Sequence, residues 1–312
     1  MKNVNMEISR DKLPRLIFIF LILILFLRVT PVLAKSESQT ELWEKGNSYC
    51  LQAKWRSAIA TFDKLLKKYP NTTYVEAYFW IGYSYIQIGK YQEGISRLYN
   101  FARKYPSNNY TPQALFKIGE TYETKLKKYD RAMSAYGDVA KRYPGSAVSV
   151  PAAQNQALIL QQRKKDYKSA EKVLAKSKQI AANQGLSTGN IYIGRANRRM
   201  KFIRENSDYN YKPLSLFMDG ISLEEDRRWN EAAGVYSIIL KKYPGANIVD
   251  DALYRRIRCL VRMKKYSKAK KEAKSFLKDY PSSKYKNNVQ WILKEAVKKS
   301  EFLQRRLRLY FV

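Results

Sequence analysis

The tripeptide Lys/Arg-Tyr-Pro ends at Pro70, Pro106, Pro144 and Pro244, and Asp279-Tyr280-Pro281 is a fifth variant. Twelve residues before each proline stands a small residue: Ala58, Gly94, Ala132, Ala232 or Ala269. Three residues earlier comes an aromatic: Trp55, Tyr91, Tyr129, Trp229 or Tyr266. Tyr167 with Ala170 is a copy that lacks the proline. The small residues step by 36, 38, 38, 62 and 37. A unit of this period is one supersecondary element that cannot bury its own apolar face, so its copies must stack in a quasi-linear array.

Each unit reads as two helices. The first unit predicts one helix over about Gln39 to Gln52 and another from about Trp55 to Lys68, with Ala58, Phe62, Leu65 and Leu66 as its apolar stripe. Lys67 and Lys68 complement the dipole of the last turn, and Pro70 stops the helix. Gly46, Gly82, Gly119 and Gly220 recur inside first helices, although glycine costs about 1 kcal/mol there relative to alanine. Close approach of a neighbouring helix is the expected return. Tyr49, Tyr85, Tyr122, Phe62, Leu98, Tyr136 and Tyr236 are the expected filling.

Gly, then Tyr three on, a small residue twelve or thirteen on, a bulky residue four beyond and Pro eight after that resembles the tetratricopeptide repeat (TPR). Gly46, Tyr49, Ala58, Phe62 and Pro70 carry the pattern in unit one, and Gly82, Tyr85, Gly94, Leu98 and Pro106 in unit two. Gly119, Tyr122, Ala132, Tyr136 and Pro144 carry it in unit three, with one extra residue assigned to the turn. The last two units are looser, with Leu223, Ile257, Leu260 and Ala273 in place of the usual types. The resemblance implies an all-α fold: an α-α superhelix, or TPR solenoid, of about six helix-turn-helix repeats with a C-terminal capping helix. More narrowly, the repeats resemble exported BamD-like and CpoB/YbgF-like TPR proteins, through Lys-Tyr-Pro endings followed by segments such as residues 246–252.

The resemblance also implies that first helices build an inner, partner-facing wall. Trp43, Asn47, Phe79, Tyr83, Phe116, Glu120 and Glu123 map there, and so do Phe217, Glu224, Arg255, Arg258 and Arg262 farther along. Aromatics and arginine are common interface anchors. Trp43 stands where the family's carboxylate-binding lysine would, so that clamp is not expected.

The step of 62 marks a break. Residues 191–205 have helical composition and carry Arg195, Arg198, Arg199 and Arg204. Two readings stand open: a decayed repeat, or an inserted basic helix that meets an anionic partner. The expected organisation is a leader over 1–34, a four-repeat array over 35–183, the insert or decayed repeat over 184–212, a repeat pair over 213–281, and a capping helix with tail over 282–312.

Lys2, Arg10, Lys12 and Arg15 precede an apolar run from Leu16 to Leu27, and Val32-Leu33-Ala34 follows. That order is a secretory signal peptide. Arg28 beside the run keeps an uncleaved signal anchor as the alternative, and either places the repeats in the periplasm or otherwise outside the cytoplasm. No cysteine stands at the cleavage position for a lipid.

The chain has no histidine, and its two cysteines, Cys50 and Cys259, form no CxxC pair. No phosphate loop or nucleophile elbow is present, and the Glu224-Glu225 carboxylates read as solvated charge. Neither catalysis nor a cofactor, metal or small-molecule substrate is expected. A net charge of +32 favours anionic partners, while a general lysine bias would give the same surface. The expected function is therefore a periplasmic scaffold that binds protein partners in the cell envelope, in outer membrane assembly, secretion or division. The alternative is a binder of an anionic polymer such as peptidoglycan, or of a membrane surface. Nucleic acid fits the charge but not the export signal.

Overall fold

The computed structural model describes residues 36–310, with side chains through residue 298. The leader over 1–34 lies outside the described residues. Fourteen α-helices follow one another with no strand among the described residues. They are α1 (Gln39–Leu51), α2 (Trp55–Lys68), α3 (Glu76–Gln87), α4 (Tyr91–Lys104), α5 (Thr111–Glu120), α6 (Tyr129–Arg142), α7 (Ser149–Ile159) and α8 (Tyr167–Asn183). Next come α9 (Ile191–Glu205), α10 (Lys212–Glu225), α11 (Trp229–Lys242), α12 (Val249–Arg262), α13 (Tyr266–Asp279) and α14 (Lys286–Tyr310). Six helix-turn-helix units therefore run in chain order, with α9 inserted before the fifth and α14 after the sixth. The chain divides into two compact units, residues 1–84 and 85–312.

In the first unit, Ser38 caps α1: its Oγ accepts from the Glu41 N–H at 3.1 Å, and the Glu41 carboxylate accepts from the Ser38 N–H at 2.7 Å. Glu37 ties the two helices by accepting from Lys45 at 2.8 Å and from Lys64. The Tyr69 hydroxyl donates to the Glu37 carbonyl at 2.9 Å. In the third repeat the equivalent Tyr143 donates to the Pro106 carbonyl at 3.1 Å. The tyrosine of the sequence tripeptide thus fastens the end of one repeat to the turn before it.

All six first helices end alike. A left-handed residue follows each: Ala53, Gly89, Lys127, Lys165, Arg227 and Lys264, with φ between 54° and 83°. The next N–H reaches back to a carbonyl inside the helix, as from Lys54 to Tyr49 at 2.8 Å and from Arg228 to Leu223 at 2.8 Å. This is a Schellman closure, and it satisfies carbonyls the helix leaves open. In units three and four the loop is one residue longer, with Lys128 donating to Tyr122 at 2.8 Å and Asp166 to Leu160 at 2.9 Å. The extra residue expected in the unit-three turn lies instead in a π-helical turn, Thr121–Lys125, and Leu160–Lys164 repeats the device.

The core is set by close approach. A Cβ built on Gly46 would lie 2.4 Å from the Phe62 ring, and one on Gly220 would lie 2.4 Å from the Tyr236 ring. Phe62, Tyr136 and Tyr236 are fully buried. Helix α9 buries Ile193, Ala196, Met200 and Ile203, the spacing of one helical face. Ile193 joins Val150, Ala153, Ile180 and Ala181, so α9 packs on α7 and α8. Residues 208–211 then form a tight turn with Tyr209, Asn210 and Tyr211 at φ 48°, 52° and 60°. The Tyr211 ring stacks on Tyr167 at 5.0 Å, which holds that unusual backbone in place. At the other end, Val289, Ile292 and Ala296 of α14 are buried, the first two against Ile257, Ala273 and Phe276.

Two glycines separate space from helix propensity. Gly220→Ala is expected to lower stability by roughly 1–3 kcal/mol through overpacking against Tyr236. Gly234→Ala is expected to raise it by up to about 1 kcal/mol, since no atom lies within 4 Å of the new Cβ. Urea unfolding followed by circular dichroism reads both.

Candidate protein-binding site

In the first unit the wall residues sit in an aromatic cluster. Trp43 lies 5.0 Å from Tyr74, nearly parallel, and 5.5 Å from Phe62. Tyr83 meets Trp55 edge-on at 5.7 Å and Trp80 at 5.6 Å. Asn47, on α1, is half-buried. Phe79 is buried, so its ring supports Tyr83 at 6.1 Å from beneath. A direct partner contact by Phe79 is thereby corrected to a supporting one. Tyr74 and Trp80 were not singled out by the repeat spacing, because one lies in the loop and the other between the expected first-helix positions.

In the third repeat the α5 positions are already engaged. Phe116 lies 5.5 Å from the Tyr136 ring. Glu120 pairs with Lys117 at 2.5 Å, and Glu123 accepts from the Tyr136 hydroxyl at 2.8 Å. Burial raises the Glu123 carboxyl above the usual range, and the tyrosine hydrogen bond opposes that shift. Glu224 repeats the arrangement, accepting from Tyr236 at 2.7 Å and from Arg255 at 3.2 Å. Its side chain is 10% exposed. Glu123 and Glu224, mapped as partner-facing, are instead the acceptors that let a tyrosine hydroxyl enter the core. The reason is geometric: each stands four residues after the glycine against which that tyrosine packs.

The last repeat carries the arginines. Arg255 lies over the Phe217 ring at 5.4 Å; Phe217 is itself buried, a support and not a surface anchor. Burial works against the Arg255 charge, and Glu224 and Tyr236 more than offset it, so its pKa is raised. Arg258 lies 5.7 Å from the Tyr254 ring and Arg262 lies 5.9 Å from Trp229. Each arginine of this α12 face thus rests on an aromatic ring, a contact worth about 0.5–1 kcal/mol at exposed sites.

The basic residues of α9 divide. Arg199 donates to the Gln154 carbonyl at 3.1 Å, and burial, with Arg195 nearby, lowers its pKa. Arg204 pairs with Glu171 at 2.6 Å. Arg195 lies over Tyr192 at 5.7 Å and is exposed, as is Arg198. Each compact unit holds its own set of the expected site residues. Among the described residues, no group of three His, Cys, Asp or Glu could hold a metal, and no helix is long and apolar enough to cross a membrane.

The tetratricopeptide repeat family model matches residues 42–72, 76–108, 113–146 and 251–283. No curated protein matches the chain. Among solved structures, a tetratricopeptide repeat protein from Parabacteroides merdae ATCC 43184 is 17% identical over 84% of this chain and 100% of its own, with a TM-score of 0.47. MamA from Desulfovibrio magneticus RS-1 is 20% identical over 47% of this chain and 77% of its own, with a TM-score of 0.38. The TPR2AB domain of yeast Sti1, in its pHSP90 complex, is 13% identical over 83% of this chain and 98% of its own, with a TM-score of 0.37. The four matched segments are thus similar to tetratricopeptide repeats, units that generally mediate protein–protein interaction and are typically non-catalytic.

Removing the Tyr236 hydroxyl takes one of the two donors from Glu224 and leaves Arg255 as the other. Tyr236→Phe is expected to cost about 1–3 kcal/mol, and much less in a Glu224→Gln background. A double-mutant cycle from denaturant melts measures that coupling.

Proposed function

We propose that this repeat protein is an exported, non-catalytic scaffold that binds protein partners of the cell envelope through its first-helix faces. The supporting observation is the row of arginine-on-ring contacts along α12, with Arg255, Arg258 and Arg262 each laid on an aromatic. Such side chains arrive at an interface already ordered, so little rotamer entropy is lost on binding. The process proposed is envelope assembly, secretion or division, and the basic-then-apolar leader is what supports export. A second reading has its own observation. Lys271, Lys274 and Lys278 line one exposed face of α13 without an ion pair among the described residues, a surface that suits an anionic polymer or membrane.

Photo-crosslinking residues placed at Asn47, Glu120 and Arg255 are expected to capture protein in cells, and one at Ile238 is expected to capture none. Recovery of only glycan or lipid would sink the scaffold reading. The mass of the N-terminus checks export: a chain beginning at Lys35, or a full-length chain in the membrane fraction, agrees with it. A full-length chain in the cytosol does not.

A further inference from the structure

The last repeat and the terminal helix enclose a cleft of 460 Å³, lined by Tyr254, Arg258, Arg262, Lys264, Tyr266 and Trp291 among others. Three cations and three aromatic side chains face it, and no carboxylate does. Neighbouring cations are treated differently: Arg255 has Glu224, Arg256 has Glu272 at 2.8 Å, and Lys284 has Asp251 at 3.0 Å. Arg258, Arg262 and Lys264 have no acidic partner among the described residues. Trp291 is 66% exposed, although α14 buries Val289 and Ile292 on either side of it in sequence. An indole is apolar over most of its surface, and leaving it in water beside unpaired arginines invites a partner.

We propose that this cleft docks an acidic protein segment: an aromatic or aliphatic side chain lies against Trp291 and Tyr254, while flanking carboxylates pair with Arg258, Arg262 and Lys264. Charge selects this occupant. The chain's own residues 299–312 hold Lys299, Arg305, Arg306 and Arg308 against one Glu301, a net charge of the same sign as the lining. Concavity selects it too, because a flat lipid surface cannot reach the bottom of a 460 Å³ cleft, whereas a side chain can. Arginine suits the role through its planar fork, which meets a carboxylate with two hydrogen bonds. The proposal rests on the protein-binding reading and names the chemistry of one of its partners.

The test uses the full chain and a fluorescein-labelled ten-residue peptide of alternating glutamate and phenylalanine, followed by fluorescence anisotropy at two salt concentrations. The peptide is expected to bind, more weakly at high salt, while its glutamine counterpart is expected to bind at least tenfold more weakly. Arg258→Glu with Arg262→Glu is expected to cost about tenfold or more, Trp291→Ala about fivefold or more, and Arg56→Glu on α2 nothing. Thermal melts of each variant check folding, which the exposure of Trp291 and Arg262 should leave intact. Equal binding by all variants overturns the proposal. So does loss of retention on phosphatidylglycerol vesicles in the double variant with peptide binding unchanged. If no peptide binds yet the photo-crosslinks at Asn47 and Glu120 still capture protein, the cleft assignment falls while the scaffold reading stands. If those crosslinks fail as well, both fall.

Discussion

The repeat depends on how closely two helices can come together at one spot. Gly46 faces Phe62 and Gly220 faces Tyr236, each with no room for a methyl group. Interiors are packed to crystal-like density, so the volume of such a pair is nearly fixed even where its partition between the helices is not. The fourth repeat places Ala157 and Leu174 at the corresponding positions, both fully buried. The sixth inverts the arrangement: Ile257 on the first helix and Ala273 on the second, again fully buried and in one cluster. A bulky residue is admitted on one helix only where its opposite number is small.

Choosing tyrosine as the large partner brings a hydroxyl into the core, and a buried hydroxyl without an acceptor costs free energy. The two tyrosine-bearing repeats supply Glu123 and Glu224 one turn after the glycine. The phenylalanine-bearing repeat has Cys50 at that place and needs no acceptor. A packing choice on a second helix therefore dictates a charge on the first helix. Glu224 in turn recruits Arg255, which settles on Phe217. Core and surface are joined by a short chain of contacts: glycine, ring, carboxylate, guanidinium.

Much of the fold was legible because its determinants are periodic. Pro70, Pro106 and their counterparts mark second-helix ends without ambiguity, and Trp55 to Lys68 is a helix to the residue. The first-helix ends were less visible, since five of the six left-handed positions hold Ala, Lys or Arg and only Gly89 carries the usual signal. There the backbone hydrogen bonds of the closure outweigh a residue preference of about 1–2 kcal/mol. The apparent looseness of the sixth repeat came from reading Ile257 and Ala273 one at a time; as a pair they obey the rule. Site residues were the least legible. Helical spacing says which face a side chain starts from, but not whether it is buried, as Phe79 and Phe217 are, or bonded inward, as Glu123 is.

The distribution of acids decides what so cationic a chain can recognise. With 59 basic and 27 acidic side chains, only some cations can be neutralised. Several of the acids are spent between helices: Glu37 on α1 and α2, Glu171 on α9, Asp219 on Lys165, Glu224 on α12 and Glu272 on Arg256. Each such pair orders the array, and each removes a negative charge from the surface that a partner would otherwise meet. Exposed pairs contribute little stability by themselves, about 0–1 kcal/mol, but they fix which cations remain unanswered. Among the described residues around α12 and α14 those include Arg258, Arg262 and Lys264, set beside an exposed indole. Selectivity for an acidic partner then follows from where the carboxylates have gone, as much as from the number of lysines and arginines.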